Sequence, residues 1–248
     1  MSKMAKYDVL LCVTNDLTYD QRMYRISTSL AKQYAKVGLV GRTKKQSIPL
    51  QKETFEQHRL HCFFKTGFLF YAEFNLRLFI FLLRNQAKAI CSVDLDTLPA
   101  CYIASRLRKS KLVFDAHEYY LETPELMHRP MVKWVWQIIE KFIVPKLKHC
   151  YTVSNSVAAY YRQTYKKKFE LIRNLPFSKQ ISKLDSTKCI LIYQGVLNKG
   201  RGLELLIDLV SERKDCTLWL VGEGDLSDEL KLLVEKKQSA NIIFKGYQ

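Results

Sequence analysis

The chain is 248 residues long and 48% hydrophobic, ample for the buried core of one large or two ordinary domains, which excludes disordered and fibrous classes. Its formal net charge is +16, and the excess is confined: residues 1–187 hold 31 basic and 15 acidic side chains, residues 188–248 nine of each. Such asymmetry points to an anionic partner for the first part, with nucleic acid, a phospholipid surface and a phosphorylated substrate all open.

In chain order, apolar runs rich in Val, Ile, Leu and Phe read as strands at 7–13, 37–41, 89–93, 111–115, 150–153 and 169–173. Between them, 19–35, 67–86, 97–108, 130–147 and 156–165 carry helical spacing, and the polar stretch 44–61 reads as a long loop with an edge strand at its end. Continuous rather than alternating apolar strands, each followed by a helix, are what a parallel sheet covered on both faces requires. The expectation is an α/β protein whose first, complete doubly wound domain spans residues 1–175. Asn174, Leu175 and Pro176 then break the pattern, and 176–187 is a polar Ser/Lys-rich linker. Alternation restarts in 188–248 with strands at 189–194, 217–221 and 241–245 and helices at 202–213 and 226–237. A βαβ unit takes about 30 residues or more. This second domain therefore reads as two units sharing a middle strand, an incomplete one whose apolar strand faces are expected to lie open.

The seven cysteines are odd in number, form no C-x-x-C pair and sit in or beside apolar runs, so they read as reduced core thiols of a cytosolic protein. Val9 to Val13 is too short for the apolar core of a signal peptide. Phe68 to Leu83 is interrupted by Glu73 and Arg77 and is not read as a spanning helix. The expected location is cytoplasmic, with peripheral attachment to the inner face of a membrane left open.

Ligands of open parallel sheets bind beyond the carboxyl ends of the strands. The loop after the first strand, Thr14 to Arg22, is polar and holds no glycine, which argues against a dinucleotide-binding dehydrogenase; no P-loop pattern occurs either. Asp16, Asp20 and Arg22 lie there, and helix capping accounts for Asp20 equally well. The fourth strand runs into Asp94 and Asp96, the fifth into Asp115, His117 and Glu118. Adjacent strands that deliver carboxylates and a histidine to one rim make an acid/base or sugar-hydroxyl site, although Asp96 as a helix N-cap and His117 as a satisfied loop residue also fit. His58 and His61 have no third ligand nearby, so no metal is assigned. In the second domain, Gly195, Lys199, Gly200, Arg201 and Gly202 follow a strand and open a helix, and Gly222, Glu223 and Gly224 form a similar turn after the next strand. Glycines admit backbone N–H groups to a phosphate, and a helix N-terminus with a cation beside it favours negative charge. Two such turns suit a nucleotide diphosphate, although the demands of a tight turn alone also account for the glycines.

Residues 193–202, 218–224 and 241–246 resemble the start of the donor-binding domain of glycosyltransferase family four, and Asn15-Asp16 with Asp20 to Met23, Asp115 to Glu118, Tyr151 to Ser154 and Ile172 to Pro176 resemble its acceptor-binding domain. The resemblance implies the two-domain GT-B fold with a nucleotide-sugar bound in the cleft. It also implies a retaining transfer to a glycan or lipid-linked acceptor, in building a cell-envelope or capsular polysaccharide, with no cofactor beyond the nucleotide-sugar substrate. By the same resemblance His117 is the catalytic candidate near the donor sugar, while Asp16, Asp20, Arg22, Asp94, Asp96, Asp115 and Glu118 belong to the acceptor side. Many members carry G-R-L-x-x-x-K-G in the first donor turn; here Val196 and Arg201 replace its cations, which makes Arg201 the first choice for the diphosphate and weakens Lys199. The family's E-x7-E element would lie beyond Gln248, so residues 1–248 are expected to be inactive alone. Two other readings stay open: a non-catalytic basic module binding RNA or acidic lipid, which would explain the charge but not the glycine turns, and a sugar-nucleotide epimerase of the same architecture. Nucleic acid is not the expected partner.

Overall fold

The computed structural model describes residues 5–18, 20–34, 36–45, 47–123, 126, 129–175 and 189–246. The chain divides into two compact units, Met1–Phe177 and Ser178–Gln248. The expected linker, 176–187, lies outside the described residues.

The first unit holds a seven-stranded sheet of β1 (Tyr7–Cys12), β2 (Val37–Arg42), β3 (Glu56–Leu60), β4 (Ala87–Val93), β5 (Lys111–Ala116), β6 (His149–Thr152) and β7 (Glu170–Leu171). All are parallel, in the order β3-β2-β1-β4-β5-β6-β7. Its helices are α1 (Gln21–Ala31), α2 (Gly67–Arg84), α3 (Asp94–Arg108), α4 (Pro130–Ile143) and α5 (Asn155–Tyr165). Successive side chains of a strand face opposite ways, and β1 shows the consequence. Leu10 and Cys12 pack with Phe70, Phe74 and Leu78 of α2 and Ala104 of α3, whereas Leu11 and Val13 pack with Met23 of α1. Both faces are therefore covered, as continuous apolar strands demand. Strand order reverses between β1 and β4, and the polar loops that follow these two strands meet there.

The second unit has three parallel strands, β8 (Cys189–Gln194), β9 (Cys216–Val221) and β10 (Ile242–Gly246), in the order β10-β9-β8, with helices α6 (Leu203–Ser211) and α7 (Ser227–Lys236). Leu203, Ile207, Leu218, Leu220 and Leu230 are fully enclosed in its own core. Edge strand β8 lies open: Ile192 is 61% exposed, and Ile190 and Leu191 are exposed beside it.

Two expectations need correction. Helix α3 begins at Asp94 rather than Thr97, with Val93 as its N-cap, so Asp96 sits inside the first turn and is not the cap. The Thr97 hydroxyl bonds back to the Val93 carbonyl at 2.9 Å and carries the helix down to the end of β4. Six of the seven thiols are buried core groups, but Cys189 is exposed because it starts the open edge strand.

Candidate active site and phosphate turns

The rim of the first unit is assembled from the loops after β1, β4 and β5. Register places Val93 opposite Asp115, so the residues that follow both strands emerge side by side. Asp94 has φ 57°, the left-handed region that costs a side-chain-bearing residue roughly 1–2 kcal/mol. That turn aims its carboxylate back across the rim. One oxygen accepts the His117 backbone N–H at 3.3 Å, and the other lies 2.7 Å from His117 Nδ1. Burial disfavours the imidazolium, but the contact with Asp94 and its charge outweigh that, and His117 titrates above its ordinary value. Its side chain is 30% exposed, so the far edge of the ring faces solvent.

Asp96 lies one step along the first turn of α3, 7% exposed. Burial and the neighbouring Asp94 carboxylate push its pKa up to about 7, although the Thr14 hydroxyl donates to it. Asn75 of α2 holds this turn from below. Its amide donates to the Asp96 carbonyl at 2.8 Å and its oxygen accepts the Ala100 N–H at 3.2 Å, the two groups an unbroken helix would pair with each other.

Asp115 is wholly enclosed. Its carboxylate takes two bonds from Arg22 and one from the Tyr151 hydroxyl at 2.7 Å. Burial raises its pKa despite Arg22, so the pair is a charge stored in the interior rather than a group open to ligand. Arg22 is thereby committed to Asp115. Asp20 is the N-cap of α1, accepting the Met23 N–H at 2.9 Å. Asp16 is clamped by Arg59 at 2.8 Å, by Thr18 and by Ser47, which locks the loop after β1. Glu118 is exposed on the rim. The structure thus brings Asp94, Asp96 and His117 together, places Asp115 and Arg22 behind them, and gives Asp16 and Asp20 to the loop's own architecture. Among the described residues no group of three or more His, Cys, Asp or Glu side chains is placed to hold a metal ion.

In the second unit the two glycine turns bond to each other. Leu197 N–H reaches the Glu223 carbonyl at 3.3 Å, Leu226 N–H the Leu197 carbonyl at 2.9 Å, and the Asn198 side chain accepts the Asp225 N–H at 3.0 Å. A Cβ on Gly222, at φ 131°, would meet the Gly195 carbonyl oxygen at 2.1 Å, so only glycine lets the turns approach. Gly202, at φ 69°, is the N-cap of α6 and offers no side chain to the first amides of that helix. Among the described residues no side chain caps those N–H groups, which lie at the positive end of the helix dipole. Lys199, Gly200, Arg201 and Gly202 are all exposed beside them. Glu223 stands 3.9 Å from Lys231, turned toward α7.

Sequence reasoning passed over Asn75 and, although Thr14, Tyr151 and Asn198 lie in segments it singled out, gave none of them a role. Each acts by reaching a residue far away in sequence, and a local motif carries no signal for such a bond.

Two units in tandem, each with its polar loops at the carboxyl ends of parallel strands, have the make-up of a GT-B transferase. The chain belongs to glycosyltransferase family 4: the description of that family matches residues 21–175, well over half of the sequence. By family it is an enzyme of the glycosyltransferase class. Among solved structures, sucrose-phosphate synthase from Thermosynechococcus elongatus is similar over 98% of this chain and 71% of its own, at 16% identity and TM-score 0.69. WaaG, a glycosyltransferase involved in lipopolysaccharide biosynthesis, matches over 97% of this chain and 70% of its own, at 15% identity and TM-score 0.66. Anabaena HepE in complex with UDP and glucose matches over 97% of this chain and 69% of its own, at 12% identity and TM-score 0.66. At such identities these likenesses establish the GT-B fold. No curated protein matches the chain in sequence.

Proposed function

We propose that this chain carries the machinery for moving a sugar from a nucleotide-sugar donor to a glycan or lipid-linked acceptor, with retention of configuration, in building a cell-envelope or capsular polysaccharide. The observation that carries the reading is the uncapped N-terminus of α6, opened by Gly200, Arg201 and Gly202. Backbone N–H groups and a guanidinium at one point are a site for a diphosphate, and they hold the negative charge that develops as the sugar leaves. That HepE was solved with UDP and glucose agrees with such a donor. Gly222 and Gly224 let the second turn pack directly on Gly195 and Leu197 of the first, which holds the two turns side by side. Lys199 adds charge nearby, and Glu223, engaged by Lys231, shapes the turn.

On the first unit, His117 is the catalytic group. Asp94 lies against its Nδ1 and favours the protonated ring, leaving Nε2 on the open side of the rim. Asp96 and Glu118 line the acceptor side, while Asp115 and Arg22 hold the rim rigid behind them. We place the protein in the cytoplasm, held peripherally at an anionic membrane face by the charge of residues 1–187. Among the described residues no helix is long and apolar enough to cross a membrane.

Titration with UDP tests this reading. In a version of the chain that also carries the family's E-x7-E element, Arg201→Ala weakens binding by about 1.5–3 kcal/mol, the range for a charged hydrogen bond, whereas His117→Ala leaves UDP affinity nearly intact and lowers transfer. Unchanged affinity in Arg201→Ala sinks the diphosphate assignment. A His117→Ala loss confined to affinity gives that residue a different role.

A further inference from the structure

Helix α2 is apolar on both sides. Phe70, Phe74, Leu78 and Leu82 face the sheet and are buried, whereas Phe68, Leu69, Leu76 and Ile80 point outward with 68%, 54%, 60% and 39% of their surface exposed. A helix apolar all round belongs in a core or against lipid rather than in water. Helix α4 continues the surface: Trp136 and Glu140 turn inward, while Met131 and Trp134 stand out, 80% and 60% exposed. Between the helices runs an apolar groove of about 420 Å³, with Phe68 and Tyr71 from α2 and Trp134 and Val135 from α4 among its walls. Ahead of α2 the Glu73 carboxylate accepts the backbone N–H groups of Phe63 and Phe64, each at 3.0 Å, and binds Arg77 at 2.7 Å. This holds a two-phenylalanine tip outward, with Phe63 75% exposed.

The charge around this face decides what it meets. Residues 62–84 and 129–143 carry Lys65, Arg77, Arg84, Arg129, Lys133 and Lys141; Arg77 is paired with Glu73 and Lys133 with Glu122, and Glu140 is enclosed, so Lys65, Arg84, Arg129 and Lys141 make up the positive excess. A second copy would bring an equally positive face onto this one, which Coulomb repulsion opposes. An anionic bilayer attracts it, and aromatic side chains flanked by cations suit the headgroup level. We propose that α2, the first turns of α4 and the Phe63–Phe64 tip form the surface by which the protein lies in the interface of an anionic lipid bilayer, with both helices in the membrane plane. The proposal rests on the peripheral attachment inferred above and assigns it to one face.

Vesicles of phosphatidylcholine with one-quarter phosphatidylglycerol provide the test, at low salt and with acyl-brominated lipid as quencher. The wild-type protein sediments with the vesicles and releases as salt rises. Its tryptophan emission is quenched by bromine, and Trp134→Phe loses most of that quenching while still binding. The triple variant Phe68→Gln, Leu69→Gln, Trp134→Gln binds at least tenfold more weakly with unchanged circular dichroism, because all three side chains already stand in water. Equal binding by the triple variant overturns the assignment of this face and spares the attachment. No wild-type binding at low salt overturns both. A dimer in sedimentation equilibrium that the triple variant abolishes, without vesicle binding, gives the face to a second copy.

Discussion

The rim of the first unit and the glycine turns of the second handle charge in opposite ways. At the rim the formal charges are side chains packed into the protein and compensated there: Asp115 by Arg22 and Tyr151, Asp94 by His117, Asp16 by Arg59. In the turns the groups proposed to meet a phosphate are backbone amides shaped by Gly202 and Gly222, beside cations exposed to water. A compensated buried charge is costly to disturb, because removing one partner strands the other in a low dielectric. An exposed cation near open amides contributes little to folding, and its interaction energy is released only when an anion arrives. Changes at the rim should therefore damage stability and function together, and changes in the turns should separate the two.

The largest effect is expected from Arg22→Ala. It leaves the enclosed Asp115 carboxylate without its cation and destabilises the first unit by about 3–5 kcal/mol, the usual cost of breaking a buried pair. Adding Asp115→Asn restores a substantial part, since the stranded charge is gone. Urea denaturation of the single and double variants measures both, and a loss under 1 kcal/mol in Arg22→Ala would remove the contrast just drawn. Next comes Gly222→Ala, where the new methyl would overlap the Gly195 carbonyl oxygen and occupy a strained φ. About 2–3 kcal/mol is expected from strain of this kind. Hydrogen exchange should show protection lost in β8, β9 and β10 and kept in β1 and β4; loss spread evenly over both units would mean that the turns do not carry the second unit's packing.

The sequence was most readable where the physics is local. Periodicity and continuous apolar runs located the strands of both units, because a two-face-covered strand such as Leu10 to Val13 must be apolar throughout. The carboxylates of the rim were legible for the same reason: they follow strands directly, and β4 and β5 pair. What stayed hidden was which carboxylates the fold ties to an arginine. Asp16 and Asp115 have the same local signature as Asp94 and Asp96, and only Arg59 and Arg22, brought in by the fold, distinguish them, whereas the cap that Asp20 makes on Met23 is a local contact already open in the sequence. The start of α3 was misplaced because a non-glycine residue in left-handed geometry at Asp94 has no propensity signal, and the Asn75 brace that steadies this turn comes from another helix.

A subtler effect concerns Asp96. Its folded pKa of about 7 stands above the ordinary 3.8 because burial disfavours the anion. The folded chain thus holds this proton more tightly than the unfolded chain, so the stability linked to the proton is full below about pH 4 and is lost as pH rises toward 7. Asp96→Asn keeps the neutral form at every pH and still accepts from Thr14. Relative to wild type it should gain up to about 4 kcal/mol between pH 4 and pH 8, while losing any activity that needs a proton to move there. Urea melts at the two pH values measure the gain. The same difference at both would mean that Asp96 ionises without penalty, and the rim would lose its stored charge.

The smallest effect completes the contrast from the other side. Arg201 is exposed, and among the described residues no carboxylate pairs with it. Surface substitutions of this kind change stability by no more than about 0.5 kcal/mol. Arg201→Ala should therefore melt with the wild-type chain in the absence of nucleotide. A gap should open only when UDP is added, because a ligand stabilises in proportion to its affinity for the folded state. Melting curves of both chains at several UDP concentrations read the stability and binding effects in one experiment. Curves that already diverge without UDP would show Arg201 acting within the fold, so that the glycine turns, like the rim, depend on an internal charge.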